Sequence, residues 1–345
     1  MDIFLGSMKN KLLLLPFIFA LLASHISIAA SISPISAEEV RQYQRFTTWQ
    51  GIEPDKWATA WFIKRHVSPD AYFLLVPPNS KLPQNALPFG VPDVSIRRAN
   101  RESMFRRLRT AMQFDAPEIE YLDGIIHDVE VNIWDEPAHP HSAWFETMYR
   151  TLQARYQRDQ VPVDCYLAFF DGVARIARQQ KVSASDYQDQ LDLKSLCPGL
   201  PDKSERMVES LDHIDVLREV SLGKQVIFLD TRENEEFDEV HLPGAKLLRL
   251  RDVNQKNVKD LLNADLVVPY CVKDFRGFEV AKSLKQYGIK RVATLSPNGL
   301  KGWLSKGLPV SGKDELNEQD AMDALMQCAM EPEQCSLSPE KGLSP

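Results

Sequence analysis

The chain has 345 residues, more than one ordinary hydrophobic core organises, so its length predicts two domains with appended segments. Hydrophobic residues make up 44% of the chain and charged residues 26%, as in soluble globular proteins. The formal net charge of −7 argues against general nucleic-acid binding, which needs a basic surface.

The first thirty residues have the layout of a secretory signal peptide. Two lysines precede an apolar run over residues 12–22, and small residues follow, including Ala29 and Ala30. We therefore predict a signal peptide over residues 1–30, cleaved near Ala29 or Ala30, and a periplasmic or otherwise exported bacterial protein. An uncleaved membrane anchor is the alternative, but the apolar run is short for spanning a bilayer. Membrane contact is expected only through the signal peptide.

Export affects how the five cysteines are interpreted, because an oxidising compartment permits disulfides. Cys328 and Cys335 lie close together in the chain, and Cys165 and Cys197 form a second candidate pair. Both pairings are hypotheses, because the separations of the Cα atoms decide them. Cys271 is then left over, as a reactive thiol or as one that pairs with another molecule.

Hydrophobic periodicity and turn residues divide the remainder of the chain. The first domain is predicted over residues 36–187, a linker over 188–217, a second domain over 218–313 and a loosely held polar tail over 314–345. In the first domain we predict helices over 36–50, 56–65, 100–112, from Pro117, over 142–158 and 163–181, and strands over 72–76 and 94–96.

The second domain alternates strands and helices. Strands are predicted over residues 226–229, 245–248, 266–270 and 292–295, with helices over 235–239, 258–262, 278–287 and around Trp303. This spacing predicts a parallel sheet flanked by helices. The fold class is therefore α/β, with a mixed, helix-rich α/β domain in front of a parallel-sheet domain.

The strongest chemical signal is Cys271, which ends the predicted strand 266–270 and precedes a helix starting near Gly277. Active sites of open parallel sheets form beyond the carboxyl ends of the strands. Amide N–H groups of such a loop lower a thiol pKa and hold an anion, and Lys273 and Arg276 add positive charge. A thiolate in this position accepts a sulfane sulfur and becomes a persulfide.

Motifs on both sides of this loop resemble the rhodanese family. The first signature is matched by Asp230-Thr231-Arg232, Glu236-Phe237 and His241-Leu242-Pro243-Gly244-Ala245, and the second by Asn298-Gly299, Gly302-Trp303 and Gly307-Leu308-Pro309-Val310. The resemblance implies a sulfurtransferase with Cys271 as its catalytic residue and no required cofactor. Its donor would be a small sulfur compound such as thiosulfate or a persulfide, and the resemblance does not specify the acceptor or reductant. Asp230 and Arg232 are expected to support the loop.

The loop departs from the family at two positions. Asp274 stands where the family usually has glycine, and Lys273 stands where it has a small hydroxyl residue. Glycine lets the loop curl so that its amides converge, and a carboxylate facing the thiol would repel thiosulfate. We expect Lys273, Asp274 and Arg276 to contact the substrate. The alternative is a rhodanese-like binding module without activity, or a redox-sensing thiol.

The first domain resembles the bacterial chromate-resistance (ChrB-type) family, in the domain also found in exported chromate-resistance proteins. The most specific match is the stretch Asp55-Lys56-Trp57-Ala58-Thr59-Ala60-Trp61-Phe62-Ile63-Lys64-Arg65, and the similarity extends over residues 53–185. It implies a role in lowering chromate accumulation or in sensing oxyanion stress. Arg98 and Arg106 replace a His and a Glu of the family pattern.

Two further clusters offer binding chemistry. Arg98, Arg101 and Arg106 belong to an arginine-rich stretch whose guanidinium groups suit tetrahedral oxyanions, the alternative being a solvated helix face. The second cluster is Asp123, His127 and Glu130, which share one helix face at spacings i, i+4 and i+7. These three side chains form a candidate site for a divalent metal, and a solvent-facing helix edge is the alternative.

These observations predict an exported two-domain protein in which a chromate-resistance-like domain is coupled to a sulfurtransferase domain that uses Cys271. The competing hypothesis is a non-catalytic envelope protein for oxyanion or redox-stress response.

Overall fold

The structure, a computed structural model, describes residues 34–99, 101–179, 191–199, 208–296, 298–331 and residue 335. The apolar run 12–22 with Ala29 and Ala30 lies outside these residues, so the signal peptide and its cleavage stay predictions. Within the described ranges, no helix is both long enough and apolar enough to cross a membrane. The described residues belong to one compact unit, in which the two domains are in contact.

The first domain packs helices against a small parallel sheet with strand order β2-β1-β3. Its elements in chain order are α1 (Ala37–Gln42), β1 (Arg45–Trp49), α2 (Pro54–Phe62), β2 (Tyr72–Val76), β3 (Leu87–Pro88), α3 (Met104–Ala111), α4 (Pro117–Glu130), α5 (Ser142–Arg155), α6 (Val163–Arg178) and α7 (Leu193–Leu196). A π-helical turn over Ile63–Val67 extends α2.

Two local predictions for this domain were wrong. Residues 36–50 are not one helix, because helix α1 ends at Gln42 and Arg45–Trp49 is the central strand. Aromatic and β-branched residues favour this strand, which pairs with a neighbour on each side. Residues 94–96 form no strand, and Ile96 makes only an isolated bridge with Phe89.

Helix α3 begins later than its sequence pattern indicated. Ser103 is the N-cap, and its hydroxyl accepts a hydrogen bond from the amide N–H of Arg106. Asn100, the first residue of the predicted helix, lies outside the described residues. The buried carboxylate of Asp55 accepts the amide N–H groups of Met104 and Phe105 at 2.8 and 2.9 Å. An anion at a helix N-terminus satisfies N–H groups that have no partner within the helix, so Asp55 fixes α3 against α2.

The linker predicted over residues 188–217 starts too early and ends too late, because Glu209–Leu211 already pairs with the strand Ala293–Leu295 of the second domain. Helix α7 and its flanks pack on α6, and Leu191, Leu193 and Cys197 are buried in the core of the first domain. Cys197 also forms a disulfide with Cys165 of α6, with the Cα atoms 5.2 Å apart, which confirms this pairing hypothesis. Residues 191–199 therefore belong to the first domain.

The second domain is built on a parallel sheet, as predicted. Its elements are β4 (Glu209–Leu211), α8 (His213–Ser221), β5 (Val226–Asp230), α9 (Asn234–Glu239), β6 (Val240–His241), β7 (Lys246–Leu247), β8 (Leu266–Tyr270), α10 (Phe275–Gln286), β9 (Ala293–Leu295), α11 (Gly299–Leu304), β10 (Ser311–Gly312) and α12 (Glu318–Met330). Short 3-10 turns cover Leu250–Asp252 and Lys259–Leu261.

Strand β8 is at the centre of this sheet. It pairs with β5, which pairs with β7, and a bridge between Val267 and Val292 joins β8 to the β9–β4 pair. Every residue of β8 is buried, as expected for a parallel strand covered by helices on both faces. The residue that follows this buried strand is Cys271.

The predicted loosely held tail over residues 314–345 is wrong for its described part, residues 314–331, whereas residues 332–334 and 336–345 lie outside the described residues. Helix α12 buries Ala321, Leu325 and Cys328 in the core of the second domain, in contact with α8. Cys328 forms a disulfide with Cys335, with the Cα atoms 5.1 Å apart, which confirms the second pairing hypothesis. The polar composition of the segment concealed a helix with one narrow apolar face.

If α12 belongs to the core, Leu325→Ala will lower the free energy of unfolding by about 2–4 kcal/mol, because Leu325 is only 2% exposed. The matched control is Met330→Ala on the same helix, which is 67% exposed and is expected to change stability by less than about 0.5 kcal/mol. Urea denaturation followed by circular dichroism measures both. Equal effects would contradict the packing of α12.

Candidate functional site

Cys271 lies at the carboxyl end of β8, directly before the loop that leads into α10. It is the free cysteine of the described residues, and its side chain is 4% exposed. Burial raises the pKa of the thiol, whereas Arg276 and the amide N–H groups of Gly277 and Lys273 lower it, and burial prevails. The sequence led us to expect a lowered thiol pKa, but burial outweighs the two loop amides and the guanidinium that act on the sulfur.

Asp230 and Arg232 support the end of the neighbouring strand. The Nε of Arg232 donates to the Asp230 carboxylate at 3.0 Å and Nη2 donates at 2.6 Å, and both residues are fully buried. Arg232 also donates to the carbonyl of Val240. Thr231 donates its amide and its hydroxyl to the carbonyl of Tyr270, each at 2.9 Å. The residue preceding Cys271 is thus anchored to this strand end.

The start of the helix Gly299–Leu304 holds the other side of the loop. The amides of Leu300 and Lys301 donate to the carbonyls of Cys271 and Val272, at 2.9 and 3.0 Å. Gly299 has φ of +45°, and a Cβ atom at this position would lie 2.2 Å from the carbonyl oxygen of Cys271. Only glycine permits this approach, which explains the glycine in the second signature.

The two residues that depart from the family pattern point to the first domain. The Asp274 carboxylate accepts hydrogen bonds from Arg150 at 2.6 Å and from Arg158 at 2.9 Å. Lys273 pairs with Glu146 of α5 at 2.6 Å. Burial would raise the pKa of Asp274, but Arg158 and Arg150 hold it below its usual value. The carboxylate is therefore ionised and neutralised by two partners.

Arg276 lies at the start of α10 and lines the pocket beside the thiol. Its guanidinium pairs with Glu236 of α9, at 3.2 Å, so the pair joins the cysteine loop to the first signature. The pocket holds about 20 Å³, room for about one water-sized group. Both domains line it, with Glu53, Arg98, Val129, Glu130, Ile133, Cys271, Val272, Lys273, Phe275 and Arg276.

A larger cleft of about 840 Å³ adjoins this pocket and also lies between the two domains. Glu53, Arg98, Glu130, Ile133 and Arg276 line both spaces. The cleft is rich in charges of both signs, contributed by acidic residues and by arginines of either domain. The arginines are Arg97, Arg98, Arg101, Arg249, Arg251 and Arg276.

The predicted arginine cluster is divided by the structure. Arg98 and Arg101 line the interdomain cleft, whereas Arg106 does not. Arg106 instead donates to the carboxylate of Asp123 at 2.9 Å, and its Nη1 lies 3.0 Å from Nδ1 of His127. The cause is helical geometry, because Arg106 lies on the face of α3 that packs against α4, where its charge neutralises a buried carboxylate.

The structure does not bring Asp123, His127 and Glu130 together as metal ligands. Asp123 pairs with Arg106 and Arg109, and Glu130 pairs with Arg98. In the part of the chain that the structure describes, no group of three or more His, Cys, Asp or Glu residues is placed to hold a metal. The three residues do share one helix face, but the carboxylate oxygens that would coordinate a cation are already paired with arginines.

Buried carboxyl groups between the domains are the feature that the sequence did not reveal. Glu279 of α10 accepts a hydrogen bond of 2.8 Å from the amide N–H of Ile52, which lies 227 residues earlier in the chain. Burial raises the pKa of Glu279 to about 7, against the opposing effect of Lys56. Burial likewise raises the pKa of Glu130 to about 7, against Arg98. No local pattern marks a contact between residues so distant in sequence.

The raised pKa of Glu279 predicts a pH-dependent stability. A glutamate in the unfolded chain has a pKa of about 4.3, whereas that of Glu279 in the folded protein is about 7. The contribution of Glu279 to the free energy of unfolding is therefore fully present below about pH 4.3 and is lost as the pH rises through about 7. Glu279→Gln will therefore stabilise the protein at pH 8, on the order of 1–3 kcal/mol, and will have little effect at pH 4. Thermal melts across pH measure this, with exposed Glu120→Gln as control. Parallel curves for wild type and Glu279→Gln would contradict the prediction.

Two family models match this chain in separate regions. Residues 46–177 match the ChrB C-terminal domain, and residues 214–306 match the rhodanese-like domain. Among curated proteins, the "Putative sulfur carrier protein YrkF" of Bacillus subtilis (strain 168) is 29% identical over 89 residues. That match covers 26% of this chain and 47% of the relative, so the chain spans about half the length of the curated relative.

Two solved structures are among those that match parts of this chain. The BH2092 protein from Bacillus halodurans is 24% identical, with 31% of this chain and 78% of that chain covered and a TM-score of 0.28. Thiosulfate sulfurtransferase from Pseudomonas aeruginosa is 11% identical, with 88% of this chain and 75% of that chain covered and a TM-score of 0.27. By the two family models, residues 46–177 are a ChrB C-terminal domain of the chromate-resistance type, and residues 214–306 are a rhodanese-like domain joined to it.

Proposed function

We propose that this protein transfers sulfane sulfur through a persulfide on Cys271, and that it does so as an exported protein. The observation that carries the proposal is the position of the thiol, within reach of the amide N–H groups of Lys273 and Gly277 and beside Arg276. The match of residues 214–306 to the rhodanese-like domain supports a sulfurtransferase-type activity.

The reaction has two balanced steps. The Cys271 thiolate attacks the sulfane sulfur of thiosulfate, a new S–S bond forms, and sulfite leaves with the electron pair of the broken S–S bond. An acceptor thiolate or cyanide then attacks the outer sulfur of the persulfide. Cys271 leaves as a thiolate with its electron pair, so the enzyme is regenerated without an oxidant, a reductant or a cofactor.

The charged residues of the loop divide between two tasks. Arg276 faces the thiol pocket and stabilises the thiolate and an incoming anion. Asp274 and Lys273 are engaged by the first domain, so we assign them to loop position rather than to substrate contact. Because Arg150 and Arg158 neutralise the Asp274 carboxylate, its repulsion of thiosulfate is reduced.

Export is consistent with the two disulfides, which form and persist in oxidising compartments. In such a compartment, a thiol reductant or a sulfur donor is needed to protect Cys271 from oxidation to forms that cannot carry sulfur. We propose a small donor, thiosulfate or a persulfide, with no nucleic acid among the partners. The coupling to a chromate-resistance domain suggests a role in oxyanion or redox stress.

A second function fits three observations at the thiol. Cys271 is buried, its pKa is raised, and the adjoining pocket holds about one water-sized group. These features also suit a non-catalytic envelope protein in which the rhodanese-like domain binds an oxyanion or senses oxidation. The two functions differ in whether sulfur turns over at Cys271.

The test compares wild type with Cys271→Ser in a thiosulfate:cyanide sulfurtransferase assay on the full chain. Wild type is expected to form thiocyanate and, without cyanide, to gain the mass of one sulfur atom. The Cys271→Ser protein is expected to be at least about 1,000-fold less active than wild type, because it lacks the nucleophile. Equal activity in both proteins, or none in either, would overturn the enzymatic proposal and favour the non-catalytic one.

A further inference from the structure

The first domain covers the cysteine loop through a set of charged contacts. The ion pairs of Lys273 with Glu146 and of Asp274 with Arg150 and Arg158 all join the loop to the first domain. The guanidinium carbons of Arg150 and Arg158 also lie 4.5 Å from the ring centres of Phe275 and Phe278, respectively. Four residues of the loop and of the start of α10 are therefore in contact with the other domain.

This cover limits what can react with Cys271. An attacking sulfur must approach the outer sulfur of a persulfide to about 3–3.5 Å, in line with the bond that breaks. The thiol is 4% exposed, and the narrow pocket next to it shares its lining with the larger interdomain cleft, so that cleft is the side from which a reactant approaches. A cysteine on the surface of a folded protein cannot reach that distance while α5 lies over the loop.

The interdomain cleft provides an approach for smaller molecules. Its volume of about 840 Å³ lies within the range of about 300–1,000 Å³ of small-molecule sites. Arg276 of the second domain and Arg98 of the first domain line both the cleft and the thiol pocket. Two guanidinium groups, one from each domain, therefore stand where the cleft meets the thiol pocket.

We infer that sulfur reaches and leaves Cys271 on small anionic carriers that pass through the interdomain cleft between Arg98 and Arg276, and that thiols of folded proteins are excluded. This inference rests on the proposed function and adds the class of carrier and its route. In the transfer step, the carrier thiolate attacks the outer sulfur, takes it up as a new persulfide and releases the Cys271 thiolate with its electron pair.

Arg98 is a positioning residue in this scheme. Its side chain is about one-third exposed, and it pairs with Glu130 and lies 3.8 Å from a carboxylate oxygen of Asp55, which fix its orientation. The carboxyl groups of Glu53, Glu130 and Glu236 lie at the same junction and balance the charge of the two guanidinium groups. The junction therefore lets an anion pass between the two arginines without binding it tightly.

The first experiment loads the full chain with thiosulfate, removes the excess and mixes the persulfide form with a small thiol or with reduced thioredoxin. Intact mass spectrometry follows the loss of one sulfur atom. We expect discharge to free cysteine to exceed discharge to thioredoxin on the order of 100-fold, at equal thiolate concentration. Comparable rates would overturn the inference and leave the proposed function intact, whereas failure to form the persulfide would overturn both.

The second experiment measures steady-state kinetics with thiosulfate for Arg98→Gln, and uses Arg65→Gln as the matched control. Arg65 pairs with Asp171 in the same domain, and it lines neither the cleft nor the pocket. Arg98→Gln is expected to raise KM about tenfold with kcat changed less than about twofold, and Arg98→Lys to restore part of the loss.

The split between KM and kcat separates positioning from a general loss of structure. Identical KM values for the Arg98→Gln and Arg65→Gln proteins would overturn the role of Arg98. If Arg98→Gln does not fold, the comparison of cysteine with thioredoxin on wild type still decides the route.

Discussion

The carboxylate of Asp274 lies between two guanidinium groups of the other domain, and the arrangement of the site depends on this interaction. Arg150 and Arg158 donate to its two oxygens at 2.6 and 2.9 Å, and Asp274 itself is buried. Removing one partner from a buried charge cluster costs about 3–5 kcal/mol, because the remaining charge is left without compensation. The loop that carries Cys271 is therefore held in place by the first domain.

This interaction explains why the loop tolerates a residue other than glycine. An aspartate facing the amide cradle would repel an anionic substrate, but here the carboxylate is turned to the arginines of the first domain. Lys273 follows the same pattern and pairs with Glu146. The two departures of the loop from the family pattern are thus among the residues that join the domains, so the ChrB-type domain and the rhodanese-like domain together make the environment of the thiol.

Local sequence patterns predicted much of the second domain. The strand Leu266–Tyr270 has the bounds expected from its buried, β-branched residues, and the thiol at its end followed from the rule for parallel sheets. The patterns failed where tertiary contacts decide the outcome. The strand Arg45–Trp49 is polar enough to resemble a helix, and the helix Glu318–Met330 has only a narrow apolar face. In both cases, packing against distant elements overrides the local signal.

The same limit applies to the site. The aspartate in place of glycine led us to expect repulsion between its carboxylate and thiosulfate, but nothing in the local sequence indicated that arginines of the first domain neutralise it. The partners are 116 and 124 positions away in the chain. The arginine-rich stretch was recognised as a whole, yet only contact geometry separates Arg98, at the cleft, from Arg106, which neutralises Asp123.

The most direct test of the account is hydrogen exchange at the amides of residues 271–277 in wild type and in an Arg150→Met, Arg158→Met double variant. The account predicts that these amides lose protection in the double variant, while the amides of β5 and α12 keep theirs, because the loop depends on the two arginines for its position. Unchanged protection across residues 271–277 would contradict the claim that the first domain fixes the loop around Cys271.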